Sequence, residues 1–199
     1  DPETPFDEAI AFFNDAAIGI APAPAEIYAY ASRLGIAAQP TAEPEAGRSL
    51  LLEASGYARL EAGGAVLLAD AAQIGPDYLP GHGHADTLSF ELSLRGRRLI
   101  VNSGTSLYGG DAERLRQRGT AAHSTVTIGG QDSSEVWSGF RAGRRARPRI
   151  EHFAGGSLAA SHDGYSRLPG TPCHRREWYL QQGRLTILDE ISGAGSHDI

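Results

Sequence analysis

The stretch 87-TLSFELSLRGRRLIVNSG-104 carries the clearest structural pattern of the sequence. Four apolar residues alternate with four polar ones, a period of two that is typical of a β-strand with one buried face and one polar face. The apolar positions are Leu88, Phe90, Leu92 and Leu94, and the polar positions are Thr87, Ser89, Glu91 and Ser93. Arg95 and Gly96 interrupt the alternation before RRLIV, so the stretch predicts an antiparallel hairpin.

The segments around this hairpin also alternate short strands with glycine turns. YARLEAGGAVLLADA at 57–71 predicts a second hairpin with its turn at Gly63 and Gly64. HSTVTIGGQDS, RPRIEHFAGGSLAASHDGY and HRREWYLQQGRLTILDEI continue the series. Many short strands with glycine turns favour a mainly β fold, an antiparallel β-sandwich.

The N-terminal part is alanine-rich and has a different pattern. An apolar stripe at helical spacing in PAEIYAYASRLG predicts a helix over about 23–34, and a second helix is expected around 6–13. We expect a short α-helical segment at 1–40, a linker rich in proline and glutamate at 41–49, and the β-domain at 50–199. Methionine is absent and the last strand-like stretch soon stops, so we expect a piece of a longer protein.

The composition limits the classes of function. With 41% hydrophobic and 21% charged residues among 199, the chain can bury a core. A net charge of −6 argues against a general nucleic-acid binder, which needs a basic surface. No apolar run approaches the ~20 residues of a membrane span. The single cysteine, Cys173, excludes an intrachain disulfide and leaves the compartment open.

The motif HGHAD at 82–86 places two imidazoles and a carboxylate within five positions. In extended backbone, His82 and His84 point to the same side. The hairpin folds Asn102 back toward His84, and His123 precedes another predicted strand. Two imidazoles with an oxygen ligand form a common zinc site, although an amide oxygen binds zinc more weakly than a carboxylate. The alternative is that these are polar loop residues with hydrogen bonds, and the spacing alone leaves both interpretations open.

Three strings in this order resemble the C-terminal β-domain of the heparinase II/III-like polysaccharide lyases. They are GHGHADTLSFELSLRGRRLIVNSGTSLYGG, RGTAAHSTVTIGGQDSSEVW and FRAGRRARP. The resemblance covers roughly 50–199, and 1–40 resembles the end of the α/α toroid domain that precedes the β-domain in the family. It implies β-elimination on a uronic-acid-containing polysaccharide by a periplasmic or secreted bacterial protein, with a cytoplasmic location left open.

The resemblance also implies roles for individual residues. The first histidine of the H-x-H pair is the family's catalytic one, which assigns His82, and a substrate-contacting tyrosine after the G-T element corresponds to Tyr108. The metal ligands correspond to His84, Asn102 and His123. The family has V-D-x-G-T where this sequence has VNSGT, so Asn102 replaces an acid and weakens the expected site. We expect a bound zinc to be structural, holding the strand ends that aim His82.

β-Elimination needs a base for the C5 proton, a group that neutralises the uronate carboxylate and an acid for the departing O4. Histidine suits the base because its pKa lies near neutrality, and positive or hydrogen-bonding groups suit the carboxylate. In the family several of these groups come from the toroid, so this chain is expected to carry half an active site. Arginine clusters at 113–119 and 140–149 could form a basic strip for the anionic glycan or an ordinary solvated face. From them we name Arg116, Arg118 and Arg141 as candidate substrate-binding residues.

Other residues have both a chemical and a structural interpretation. Asp86 could orient the histidines or cap a turn, and Glu91 is expected on the polar strand face. His162 is expected beside a turn, and His174 on a strand surface or in packing. Trp137 and Trp178 could stack on sugars, but core packing is the preferred interpretation for both.

Two rival functions are also compatible with the sequence. One is a non-catalytic glycan-binding or scaffolding module of an exopolysaccharide system, and the other, less favoured because paired carboxylates are lacking, is a hydrolase with a metal-activated water. The polymer and the oligomeric state are not determined by the sequence.

Overall fold

The computed structural model describes residues 24–36, 49–75, 78 and 80–199. The chain divides into two units, Asp1–Arg48 and Ser49–Ile199. The helix expected around 6–13 and nearly all of the expected linker lie outside the described residues.

Helix α1 of the first unit spans Pro24–Arg33 and confirms the helix predicted from the apolar stripe. The amide of Leu34 donates to the carbonyls of Tyr30 and Ala31 as the helix ends. Gly35 then adopts a φ of 70°, a left-handed conformation that glycine reaches without steric cost.

In the second unit, five strands form an antiparallel sheet in the order β1-β2-β3-β4-β5. They are β1 (Leu50–Leu52), β2 (Tyr57–Ala62), β3 (Ala65–Asp70), β4 (Phe90–Leu94) and β5 (Arg97–Ile100). The hairpins predicted around Gly63-Gly64 and Arg95-Gly96 are therefore confirmed as β2-β3 and β4-β5.

A second antiparallel sheet has the order β11-β10-β9-β8, and a separate hairpin pairs β6 with β7. The strands are β6 (Glu135–Trp137), β7 (Arg141–Gly143), β8 (Pro148–Ala154), β9 (Ser157–His162), β10 (Cys173–Gln181) and β11 (Arg184–Ser192). Between β5 and β6 lie helix α2 (Ala112–Arg118) and a single 3₁₀ turn, Thr120–Ala122.

The core contains side chains from the facing sides of both sheets, as the predicted antiparallel β-sandwich requires. Its members include Leu60, Leu67 and Phe90 from the first sheet and Leu158, Trp178 and Leu180 from the second. Trp178 is completely buried, which confirms core packing for this tryptophan. Burying each leucine or phenylalanine of this core stabilises the fold by about 1.5–3 kcal/mol.

Strand β4 differs from the prediction in one respect. Its expected polar face is buried as well, since Ser89, Glu91 and Ser93 are each less than a tenth exposed. Glu91 accepts hydrogen bonds from the Arg98 side chain and from the backbone amide of Asn102. The period of two therefore identified the strand, but the polar side faces neighbouring protein groups instead of water.

Among the described residues, no helix combines the length and the apolar character needed to cross a membrane.

Candidate functional site

The HGHAD segment forms a loop before β4. The amide of Gly83 donates to the carbonyl of Pro80 at 3.1 Å, and the amide of Ala85 donates to the carbonyl of Arg118 at 2.8 Å. His82 is exposed at this turn, whereas His84 is partly buried. The extended backbone assumed for the two histidines is therefore wrong, and local turns set their directions.

Arg118, at the end of α2, supports this loop from inside the protein. Its side chain is completely buried and donates to the carbonyl oxygens of Gly83, at 2.9 Å, and Ser138, at 3.1 Å. A guanidinium in this position holds the loop backbone and does not face solvent. Substrate contact is therefore retained as a proposal only for Arg116 and Arg141, which are both exposed.

The two exposed arginines have different surroundings. Arg116 lies on α2 and forms a bidentate ion pair with Glu113, at 2.7 and 2.8 Å. Arg141 begins β7 and is paired in register with Trp137 on β6.

The structure brings together the three residues expected to bind a metal. Nδ1 of His84 lies 3.3 Å from Nε2 of His123, and Nδ1 of His123 lies 3.2 Å from Nδ2 of Asn102. These residues come from the HGHAD loop, the chain after β5 and the chain after the 3₁₀ turn. The convergence predicted from the sequence is therefore present.

The amide of Asn102 has a defined orientation, because its Oδ1 accepts a hydrogen bond from the backbone amide of Gly104 at 2.8 Å. Its Nδ2 therefore faces Nδ1 of His123 as a donor. Asn102 therefore favours a neutral His123 with its proton on Nε2, the nitrogen that faces His84, whereas the guanidinium of Arg114 beside Nε2 of His84 favours the opposite order of protons between the two rings. Asn102 thus acts as a hydrogen-bond partner of His123 and does not present its oxygen to the histidine pair.

A different acid completes a set of possible ligands. One donor atom from each of His84, Asp86 and His123 lies within 4.8 Å of the others, so these three side chains could hold a metal ion. Two nitrogens on one tetrahedral zinc lie about 3.3 Å apart, which matches the separation of the two imidazoles. The sequence signal for Asp86 was its place two residues after His84, where it was weighed as an orienting group or a turn cap.

Burial controls the protonation of this cluster. Desolvation, followed by the charges of His123 and Arg114, lowers the pKa of His84 to about 3, and desolvation lowers the pKa of His123 to about 4. Burial raises the pKa of the Asp86 carboxyl to about 7. Both imidazoles are therefore neutral at pH 7, the form in which histidine binds metals.

Arg114 is a residue of the site that the sequence analysis missed. It is buried, and its Nη1 lies 3.1 Å from Nε2 of His84 and donates to Oγ1 of Thr105 at 2.9 Å. Its guanidinium carbon also lies 5.2 Å from the centre of the Tyr108 ring. Arg114 therefore connects the histidine cluster with the tyrosine, a role that depends on which face of α2 packs inward.

The exposed part of the site combines an imidazole with two aromatic rings. The rings of His82 and Tyr108 meet edge to face with centres 5.5 Å apart, and Tyr108 lies parallel to Phe140 at 6.5 Å. Phe140 is half exposed and lies beside Gly81. His82 and Tyr108 are thus brought together as a pair.

The family described as "Heparinase II/III-like, C-terminal" matches residues 44–199. No curated protein sequence matches the chain.

Several solved structures share the fold. A mutant heparan sulfate lyase from Pedobacter heparinus has a TM-score of 0.61 at 19% identity, over 86% of this chain and 27% of that protein. Another structure of the lyase has a TM-score of 0.58 at 21% identity, over 96% and 28% of the two chains. A heparinase III has a TM-score of 0.56 at 21% identity, over 74% and 23%. The chain therefore spans about a quarter of the length of these lyases.

Proposed function

The chain belongs to the heparinase II/III-like family through its C-terminal domain, and on this premise we propose that it serves a polysaccharide lyase acting on a uronic-acid-containing polymer. One observation carries the proposal. His82 is exposed, Tyr108 is partly exposed and the two rings meet edge to face, so an imidazole that could act as a base lies beside a phenol that could act as an acid.

The reaction that we propose is β-elimination. His82 accepts the C5 proton, the electron pair forms the C4–C5 double bond, and the C4–O4 bond breaks. Tyr108 donates a proton to the departing O4. The uronate carboxylate must be neutralised for the carbanion-like state to form, and Arg116 and Arg141 are the exposed cations that we assign to binding the anionic polymer.

We further propose that His84, Asp86 and His123 hold a divalent ion, with zinc as the first candidate. Such an ion would supply a structural crosslink between the HGHAD loop and the chain after the 3₁₀ turn. Support comes from the 3.3 Å separation of the imidazole nitrogens and from the nearby carboxylate. The Asn102 amide opposes this arrangement, because its donor faces the nitrogen of His123 that must carry the proton in the metal-bound form.

The test is a panel of uronate polymers offered to the longest natural form of the protein, with the unsaturated product read by ultraviolet absorbance. The panel contains heparan sulfate, chondroitin sulfate, alginate and a bacterial exopolysaccharide. Turnover of at least one polymer is expected, and His82→Ala should abolish it. His152→Ala is the matched control, because His152 is exposed on β8 and contacts Ser157.

Full activity of His82→Ala would remove this histidine from the mechanism. Binding of a polymer without turnover would instead favour the second candidate, a non-catalytic glycan-binding module. The replacement of the family's acid by Asn102 is the observation that favours this alternative.

A further inference from the structure

The β6-β7 hairpin lies directly beside the proposed active site. Its turn brings Gly139 so close to the backbone of Gly109 that an added Cβ would lie 2.7 Å from the Gly109 carbonyl oxygen. Phe140, in the same turn, lies beside Gly81 and stacks parallel to Tyr108. One surface therefore continues from His82 onto this hairpin.

One face of the hairpin exposes a tryptophan. The register pairs Trp137 with Arg141 and Glu135 with Gly143, so these four residues share a face. A Cβ on Gly143 would lie only 3.1 Å from the outer atoms of the indole, which shows that the ring lies over this glycine. Trp137 is nevertheless 50% exposed, so the core packing expected for it is wrong.

The same face carries a cation next to the indole. Arg141 is exposed, and within the described part of the chain it has no acidic partner. The nearby acid, Glu135, is instead paired with Arg144 at 3.0 Å. The face therefore offers an exposed aromatic ring beside an exposed guanidinium.

This combination matches the chemistry of a uronate residue. The apolar C–H face of a pyranose packs on an aromatic ring, which keeps the sugar hydroxyls in water. A guanidinium fits a carboxylate with two parallel hydrogen bonds. The segment from Glu135 to Arg149 contains five arginines and one acid, so its charge attracts an anionic chain although the whole protein is negative.

We propose that Trp137 and Arg141 form a subsite that binds one uronate residue of the polymer at a distance along the chain from the bond cleaved beside His82. This inference rests on the proposed function for the identity of the ligand, but it does not require cleavage. The indole supports the sugar ring, and Arg141 binds the carboxylate of the same or the neighbouring residue.

Tryptophan fluorescence provides a direct test, because the chain has two tryptophans and Trp178 is completely buried. In the His82→Ala chain, acrylamide should quench Trp137, and Trp137→Phe should remove most of the quenching. Heparan sulfate or another polymer of the panel should reduce the quenching constant at least twofold. If Trp137 is already shielded without glycan, or if no polymer protects it, the inference is wrong.

Two charge variants separate specific binding from general attraction. Arg141→Gln should weaken glycan protection of Trp137 about tenfold. Arg184→Gln, which removes an equal charge at an exposed position at the start of β11, should leave protection unchanged. Equal effects of both variants would contradict a role specific to Arg141.

Kinetics distinguish this inference from the proposed function. In a protein with lyase activity, Trp137→Ala should raise KM at least fivefold and leave kcat within about twofold. Lyase activity with an unchanged KM would overturn the subsite alone. Glycan protection of Trp137 without turnover of any polymer would overturn the lyase proposal and leave the subsite in place.

Discussion

Nδ1 of His84 and Nε2 of His123 lie 3.3 Å apart, although the two residues are 39 positions apart in the sequence. This separation suits two ligands of one metal ion and also suits a hydrogen bond between neutral rings. Asn102 favours the second state, because its amide donates to Nδ1 of His123 and places the remaining proton between the rings.

Asn102→Asp should therefore strengthen metal binding. A carboxylate at this position can accept a hydrogen bond from a protonated Nδ1 of His123, which leaves Nε2 without a proton and free to bind the ion. Partners of this kind change metal affinity by about 10- to 100-fold. Zinc affinity measured by chelator competition should rise accordingly.

Asn102→Ala distinguishes the effect of adding a negative charge from the effect of losing the amide donor, since it removes the donor without adding a carboxylate. It should improve zinc affinity less than Asn102→Asp does. Unchanged affinity in both variants would show that residue 102 does not control the site.

Arg118→Met should destabilise the protein, because it removes a buried guanidinium that donates to the partly buried carbonyls of Gly83 and Ser138. Each buried group left unpaired costs about 1–3 kcal/mol. Because water can still reach the Ser138 carbonyl, we expect a loss of about 1–3 kcal/mol in the free energy of unfolding, measured by urea denaturation.

Arg116→Met is the matched control on the same helix, since its ion pair with Glu113 is solvent-exposed. It should leave the urea midpoint nearly unchanged. A similar loss in both variants would contradict the supporting role assigned to Arg118.

Arg116 and Arg118 also show which features of the structure could be predicted from the sequence and which could not. The period of two in β4 and the Gly-rich turns are local, so the hairpins were predictable. The meeting of His84, Asn102 and His123 followed from the hairpin and the resemblance to the family. Which arginines of α2 face inward was not predictable, because that depends on how a short helix packs against the β6-β7 turn.

Strand register explains what the sequence left open about His162 and His174. A turn follows His162 at the end of β9, as expected, and His174 lies in packing, one of its two expected places. The β9-β10 register, which was not predicted, places the two buried residues opposite each other. Nε2 of His162 donates to Nδ1 of His174 at 3.2 Å, and Nε2 of His174 donates to Asp189 at 2.7 Å. The amide of Gly164 donates to Nδ1 of His162, which fixes this order of donors.

Gly164→Ala should disrupt this part of the structure. Its Cβ would lie 2.2 Å from the carbonyl oxygen of Ser133 and 2.8 Å from Cβ of Ala146, so backbone must move. Overpacking of this kind costs about 1–3 kcal/mol, which thermal unfolding should detect.

Gly110→Ala is the control, because among the described residues, apart from those adjacent in sequence, the nearest atom to its Cβ would be the Ser138 hydroxyl oxygen at 4.0 Å. Its melting temperature should stay close to that of the wild type. A normal melting temperature for Gly164→Ala would indicate that the chain around residue 164 can shift at little cost.

The buried His162 should make stability fall in acid. Burial, followed by the charges of His174 and Arg176, lowers its pKa to about 3, whereas an unfolded histidine titrates near 6.5. The stability contributed by neutral His162 is complete above pH 6.5 and is lost as the pH falls toward 3, because only the unfolded state takes up the proton. The slope is about 1.4 kcal/mol per pH unit. Asp86, with its pKa raised to about 7, opposes this trend, because its folded-state carboxyl takes up a proton at a higher pH than the unfolded one. The contribution of His162 is therefore measured by comparing a His162 variant with the wild type.

His162→Asn keeps an acceptor for the amide of Gly164 at the position of Nδ1, although its shorter side chain does not reach His174, and it removes the titrating group. The free energy of unfolding, measured by urea denaturation at pH 4 to 6, should therefore depend on pH less steeply than in the wild type. The slope should fall by about 1.4 kcal/mol per pH unit, which corresponds to one proton. His152→Asn, on the exposed side of β8, should leave the slope of the wild type unchanged. A slope that is the same in His162→Asn and in the wild type would mean that His162 is protonated in the folded protein, and the donor order from Gly164 to Asp189 would then be incorrect.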